Sequence, residues 1–202
     1  MALVLAIVAA TFVSAAPASA GQPPPGYPTD EIKRIVYNSY YGNSIPIRRG
    51  FYDADINEGF GFDKVWWKHK IMQLDAMQYG LQSPRRFKSG NQYIFRSYAQ
   101  QFVCDTNGCV LQQEVEVQAV YEPRSFSIYY GWPVGGKLGL LTMYCIGYFP
   151  ECPHWVDDGL SNALHNSQLS AASGRTTFDS SAGPSLTQEV RYGASYTSVR
   201  GG

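Results

Sequence analysis

The sequence predicts an α+β fold: N-terminal helices packed on a four- to five-stranded antiparallel sheet, held by two local disulfides. Three observations carry this expectation. Apolar residues recur at three-and-four spacing in the first half, alternation by two dominates the second, and four cysteines fall as two close pairs. Helices that precede consecutive strands, rather than alternating with them, distinguish α+β from α/β.

Along the chain, residues 1–20 read as a signal peptide. Leu3 to Val13 is an apolar run and Ala18-Ser19-Ala20 is an A-x-A cleavage pattern, although no Lys or Arg precedes the run. The run falls short of the ~20 apolar residues a membrane-spanning helix needs. The expectation is therefore export, cleavage after Ala20, and a secreted product with no membrane association. Residues 21–29 form a Pro/Gly spacer.

Thr29-Asp30-Glu31 offers a capping side chain and first-turn acids, and Ile32, Ile35 and Val36 make a short stripe, so a helix is expected from Asp30 to about Ser39. Tyr40 to Gly61 is rich in turn residues and reads as loop with at most one short strand. From Phe62 to about Tyr79 one helix is expected. Phe62, Val65, Trp66, His69, Met72 and Ala76 share its face, and Gly80 stops it.

Gln92 to Cys104 and Cys109 to Tyr121 then read as strands joined by Asp105-Thr106-Asn107-Gly108, where Asn-Gly marks a hairpin. Leu111, Val115, Val117, Ala119 and Tyr121 alternate with Gln112, Glu114, Glu116 and Gln118, giving one buried and one wet face. Phe126 to Trp132 and Lys137 to Ile146 make a second pair, turned by Pro133-Val134-Gly135-Gly136. Asp157 to about Leu169 suits a short helix, and the Ser/Gly-rich remainder reads as a disordered tail. The compact domain is expected over 30–156, with 157–202 as helix and tail.

In an exported chain the four cysteines read as disulfides. Three connectivities are open, and proximity selects Cys104–Cys109 and Cys145–Cys152, each constraining the unfolded chain by about 2 kcal/mol on the loop-entropy model. Neither pair has C-x2-C spacing, which disfavours zinc. No metal or cofactor is expected.

The net charge is zero, which removes any global electrostatic case for a nucleic-acid or membrane partner. The distribution is uneven, however: Lys64, Lys68, Lys70, Arg85, Arg86, Lys88 and Arg96 face only Asp75 in the same stretch. A solvated basic face is the plain reading of such a run. His69 lies on the apolar stripe with lysines around it, and neighbouring cations favour its neutral, basic form; the competing reading is a core histidine. Thr142 and Tyr144 point to one side of a strand, where β-propensity alone would also put them. His154 and His165 carry weaker signals. Gly59-Phe60-Gly61 lacks the spacing of a phosphate loop, no G-x-S-x-G nucleophile motif is present, and the Asp53/Asp55 pair has no second cluster to complete it.

Taken together, GFGFDKVWWKHKI, the basic residues after it and the late LLTMYC strand resemble the bacterial toxin ribonucleases of the barnase–EndoU–colicin–RelE group. That group includes the toxin domains of contact-dependent inhibition systems. The chain also resembles small secreted actinobacterial proteins. The resemblance covers about Phe51 to Cys152. It implies a metal-independent endoribonuclease in which the ribose 2′-OH attacks phosphorus and leaves a cyclic phosphate. By position, His69 would be the acid/base, with Lys68 and Arg85 or Arg86 stabilising the phosphorane. Thr142 and Tyr144 would line the same cleft, with Lys64, Arg85 and Lys88 binding substrate. RNA would be the substrate and an immunity protein a candidate partner; oligomeric state is open. The chain departs from the group in offering no second histidine at the site, and no fused delivery protein is expected. The alternative is a secreted binding or surface-interaction protein without chemistry. Tyr37, Tyr40, Tyr41, Tyr52, Tyr129 and Tyr130 suit contact with glycan or protein.

Overall fold

A computed structural model describes residues 23–173 and 189–200. The signal-peptide expectation for residues 1–20 lies outside the described residues. The architecture is α+β, built on an antiparallel sheet with two local disulfides.

The described residues open with hairpins rather than helices. Ile32–Asn38 (β1), expected to be helical, pairs antiparallel with Asn43–Arg48 (β2), and Phe51–Asp53 (β3) pairs with Glu58–Phe60 (β4). The Ile-Val-Tyr run of β1 favours the pleated conformation once β2 supplies a partner. Its burial then follows a strand period: Val36 and Asn38 face inward, Ile35 and Tyr37 outward. The segment expected as loop thus holds three strands.

Two glycines of the GFGF lead-in serve this packing. Gly59 and Gly61 have φ of 143° and 77°, and a Cβ on either would meet the Phe51 oxygen at 2.2 Å or the Arg48 oxygen at 2.7 Å. Only glycine allows both the backbone angle and the close approach of two strands.

The long helix expected over Phe62–Tyr79 is two helices, Gly61–His69 (α1) and Leu74–Leu81 (α2). Lys70 adopts a left-handed conformation, and the amides of Lys70 and Ile71 return to the Trp66 and Val65 carbonyls, closing α1 as such C-terminal motifs do. Asp157 then accepts a hydrogen bond from the Gln73 amide at the start of α2. No Gly or Pro in the sequence marks this break; a tertiary contact accompanies it.

The five-stranded sheet is formed by Arg86–Ser89 (β5), Gln92–Asp105 (β6), Gly108–Tyr129 (β7) and Trp132–Cys145 (β8) in that order, with Glu189–Ser195 (β9) added to β6. The β6–β7 hairpin turns where Asn-Gly predicts, and Cys104 pairs with Cys109 across it. The next turn lies at Tyr130-Gly131, not Pro133–Gly136. Both residues have positive φ, 50° and 80°, matching the twist a two-residue hairpin turn requires. The Pro133–Gly136 stretch is therefore strand, irregular in register.

Trp155–Ser173 (α3) extends beyond the short helix expected, burying Val156, Leu160 and Leu164. Instead of a loose tail throughout, the chain returns as β9, and Trp155 stacks on Tyr192 while Tyr196 stacks on Tyr79. The rest of the expected tail, 174–188, lies outside the described residues. Met77, Leu81, Val117, Ala119, Met143, Leu160 and Leu164 belong to one apolar core. Phe51, Phe60, Val134 and Leu138 form a second, smaller one.

Candidate functional site

Strand alternation gives the sheet two faces. Phe95, Ala99, Val117, Ala119, Tyr121 and Met143 occupy the packed face. Arg96, Glu116, Gln118, Thr142 and Tyr144 fall on the other. Arg96 is in register with Gln118 and Gln118 with Tyr144, so three strands contribute one transverse row.

The row is wired by its side chains. Tyr144 donates its hydroxyl to Gln118 Oε1 at 2.9 Å, and Gln118 donates Nε2–H to Glu116 Oε1 at 2.7 Å. Arg96 Nε lies 2.9 Å from that same carboxylate, off the line of a good hydrogen bond. Burial, then the Glu116 charge, raises the Tyr144 pKa and keeps the phenol protonated. Beside Tyr144, the buried Thr142 hydroxyl has no hydrogen-bond partner among the described residues. A buried, unspent donor costs free energy until something binds it.

His69, the last residue of α1, meets this row at the β8 edge, its ring centroid 5.9 Å from that of Tyr144. The side chain is buried, at 4% exposure. Its Nδ1 is 2.8 Å from the Pro150 carbonyl, which can only accept, so Nδ1 carries the proton and Nε2 keeps its lone pair. Burial lowers the ring's pKa to about 4, with Lys68 and Lys64 adding to the shift and the Pro150 bond opposing it. His69 is therefore neutral at pH 7. The Cys152 amide also donates to the His69 carbonyl at 3.0 Å, tying the Cys145–Cys152 loop to the end of the helix.

The remaining expected residues are dispersed. Lys68 Nζ donates to Asn57 Oδ1 at 2.6 Å and lies over the Tyr52 and Phe149 rings. Lys64 donates to the Gly59 carbonyl at 3.1 Å, and burial, then Lys68, lowers its pKa to about 8. Arg85, Arg86 and Lys88 sit at or beside β5, three strand steps from β8, or about 14 Å at the usual strand spacing. Arg86 pairs with Phe95 of the packed face, and its guanidinium stacks 3.6 Å over Tyr41 and 4.3 Å over Tyr93. This corrects its placement in the catalytic set: a cation held between two tyrosines on the packed face does not reach a phosphate beside His69. Arg85 and Lys88 likewise do not join the His69 cluster. His154 is exposed, and His165 pairs with Asp75 at 3.1 Å. Asp53 accepts amide bonds from Asp55 and Ile56, a turn-forming role.

Sequence reasoning missed Arg96, Glu116 and Gln118. The signal was partial: the polar set on the wet side of the second long strand includes Glu116 and Gln118, but a register shift between Gln101 and Phe102 separates the hairpin turn from the site, so the turn alone does not put Arg96 opposite Gln118. No family model, curated protein or solved structure matches this chain.

Proposed function

We propose that the protein is a metal-independent endoribonuclease acting from the open face of the sheet. The observation carrying this reading is the juxtaposition of His69 with Tyr144, on a face that also carries the buried, unpartnered Thr142 hydroxyl and the Arg96–Glu116 pair. His69 Nε2 takes the proton of the ribose 2′-OH, the 2′-oxygen bonds to phosphorus, and the P–O5′ bond breaks. Tyr144 gives its proton to the leaving 5′-oxygen and recovers one from the imidazolium. Thr142 and Arg96 donate to the non-bridging oxygens as charge builds there. A phosphodiester beside the ring places a negative charge that raises the His69 pKa toward the working range.

Two disulfides are compatible with an extracellular protein, and secretion is part of the same proposal. The test is cleavage of single-stranded RNA by the mature protein, with cyclic-phosphate termini on the products. His69→Ala and Tyr144→Phe should each lower the rate by about 10² to 10⁴, the usual share of a positioned acid or base. Intact RNA with the folded, unsubstituted protein overturns the reading.

A second observation favours the alternative of a non-enzymatic binding protein. An open groove of about 500 Å3 is lined by Pro23, Pro24, Tyr27, Tyr52, Asp63 and Trp67. Aromatic faces with one carboxylate suit a sugar or peptide. Glycan-array or peptide capture lost in Trp67→Ala, alongside intact RNA, selects this alternative.

A further inference from the structure

The loop between the second pair of cysteines presents aromatic side chains that packing does not explain. Residues 146–151 are closed off by the Cys145–Cys152 disulfide and pinned to the end of α1 by two bonds, His69 Nδ1–H to the Pro150 carbonyl and the Cys152 amide to the His69 carbonyl. A loop so constrained has little conformational freedom left to lose on binding. Yet Phe149, directly before Pro150, is 81% exposed. Burying a phenyl ring stabilises a fold; here that surface is left in water on the loop that holds the candidate base.

Phe149 is part of a group. Lys68 Nζ lies 5.2 Å from the Phe149 ring centroid and 6.0 Å from that of Tyr52, so one ammonium sits between two aromatic faces contributed by different segments. Trp67 is exposed on the next position of α1. Lys64 lies on the same helix; the acids near these cations include Glu58, whose charge acts on Lys64, and Glu151, 3.7 Å from Lys70. Flat apolar faces interleaved with cations match one kind of ligand: unpaired nucleobases on a phosphate backbone, where each base stacks and each phosphate meets a cation.

We infer that Phe149 and Tyr52, with Lys68 between them, form a base-stacking subsite that holds an unpaired nucleotide next to the one at His69. This rests on the ribonuclease reading and makes its substrate class single-stranded RNA. Bases in a duplex are stacked on one another and cannot offer a face to Phe149. Because Pro150 orients His69 and Phe149 adjoins Pro150 in the chain, binding of the base and positioning of the reacting ribose are mechanically joined.

The experiment uses a 2′-O-methyl oligonucleotide, which cannot form the attacking 2′-oxygen, and follows binding to the mature protein by anisotropy. Phe149→Ala should weaken binding about tenfold, Phe149→Tyr should preserve it, and the same sequence as a duplex should bind at least tenfold more weakly than the single strand. Phe149 is exposed, so the variant should keep the circular dichroism of the unsubstituted protein. Equal affinity of Phe149→Ala and the unsubstituted protein, equal affinity for duplex and single strand, or no binding would each overturn the subsite. Cleavage is scored separately. Unchanged RNA cleavage by Phe149→Ala removes the subsite and leaves the ribonuclease reading standing. Stacked binding without cleavage of ordinary RNA supports the subsite and removes the ribonuclease reading.

Discussion

Arg86 and Arg96 lie ten residues apart, carry the same guanidinium, and fall in the same basic stretch of the sequence. The sheet separates them completely. Arg86 on β5 is in register with Phe95 and stacks between Tyr41 and Tyr93, while Arg96 on β6 is in register with Gln118 and pairs with Glu116. The difference is one of parity: neighbouring β6 positions face opposite sides, so Phe95 and its partner go to the packed face and Arg96 goes to the open one. A cation on the packed face contributes to stability. A cation on the open face, paired with Glu116 and joined to Tyr144 only through Gln118, stays on the side where a ligand would bind.

The largest expected effect tests the open face. Tyr144→Phe removes one oxygen and no packing surface, so a rate loss of about 10² to 10⁴ with unchanged thermal stability would place the phenol in the chemistry. An equal loss of stability and activity would reduce Tyr144 to a structural link in the Gln118–Glu116 chain. The proposed role of His69 also has a pH signature. With a folded pKa near 4, the rising limb of the free enzyme's kcat/KM profile should lie near pH 4 rather than at the ordinary histidine value of 6.5.

The same shift acts on stability, in a stated direction. Below pH 6.5 the unfolded chain protonates His69 while the folded chain refuses the proton until about pH 4. Stability is therefore lost as pH falls through that window, by about 3 kcal/mol, and no further loss from this group follows below it. Chemical denaturation at pH 7 and pH 4.5, compared with His69→Gln, isolates the contribution: the variant should lose less on acidification. Equal losses in both proteins would mean that the ring titrates normally and is not enclosed as described.

How much of this was legible follows from how local each signal is. The β6–β7 hairpin was readable because Asn107-Gly108 and the flanking cysteines act within a few residues. The pairing of β1 with β2 was not, because Ile32, Ile35 and Val36 fit a helical stripe as well as a strand; the deciding contact is Val36 opposite Ile45, which a linear scan does not see. The break at Lys70 was hidden for the same reason, since a left-handed lysine has no sequence mark. At the site, His69 and Tyr144 were put in one cleft only by the resemblance to toxin ribonucleases; their rings do lie 5.9 Å apart, but neither segment alone specifies that contact. Arg86 was misplaced because a basic cluster was read by composition, whereas a strand sorts its residues by parity. The Pro133–Gly136 turn failed because three turn-forming residues, Pro133, Gly135 and Gly136, outweighed the two-residue Tyr130-Gly131 turn that the strand twist prefers, while Val134 between them is a buried core residue.

A smaller effect separates the hairpin from the site. Replacing Cys104 and Cys109 together by serine opens a six-residue loop at the far tip of β6 and β7, and about 2 kcal/mol of stability should go with it. RNA cleavage at a temperature where the variant remains folded should be unaffected. The Cys145–Cys152 pair differs, because its loop carries Pro150, the partner of His69. Removing that disulfide should lower both stability and kcat, which places the second bridge in the site and the first outside it.

The smallest effect returns to the two arginines. Arg86→Ala removes contacts with Tyr41 and Tyr93 that are worth about 0.5–2 kcal/mol each, and the thermal midpoint should fall while kcat/KM stays at its unsubstituted value. Arg96→Ala removes a partly exposed ion pair of the kind that contributes at most about 1 kcal/mol and one looser contact, its guanidinium 5.4 Å over the Phe87 ring, so its midpoint should fall less than that of Arg86→Ala while kcat/KM falls. The two variants should therefore differ in emphasis, one losing stability without turnover and the other losing mainly turnover. If Arg86→Ala abolished cleavage with the fold intact, β5 rather than β6 would supply the cation, and the chemistry would have to be moved to the opposite face of the sheet.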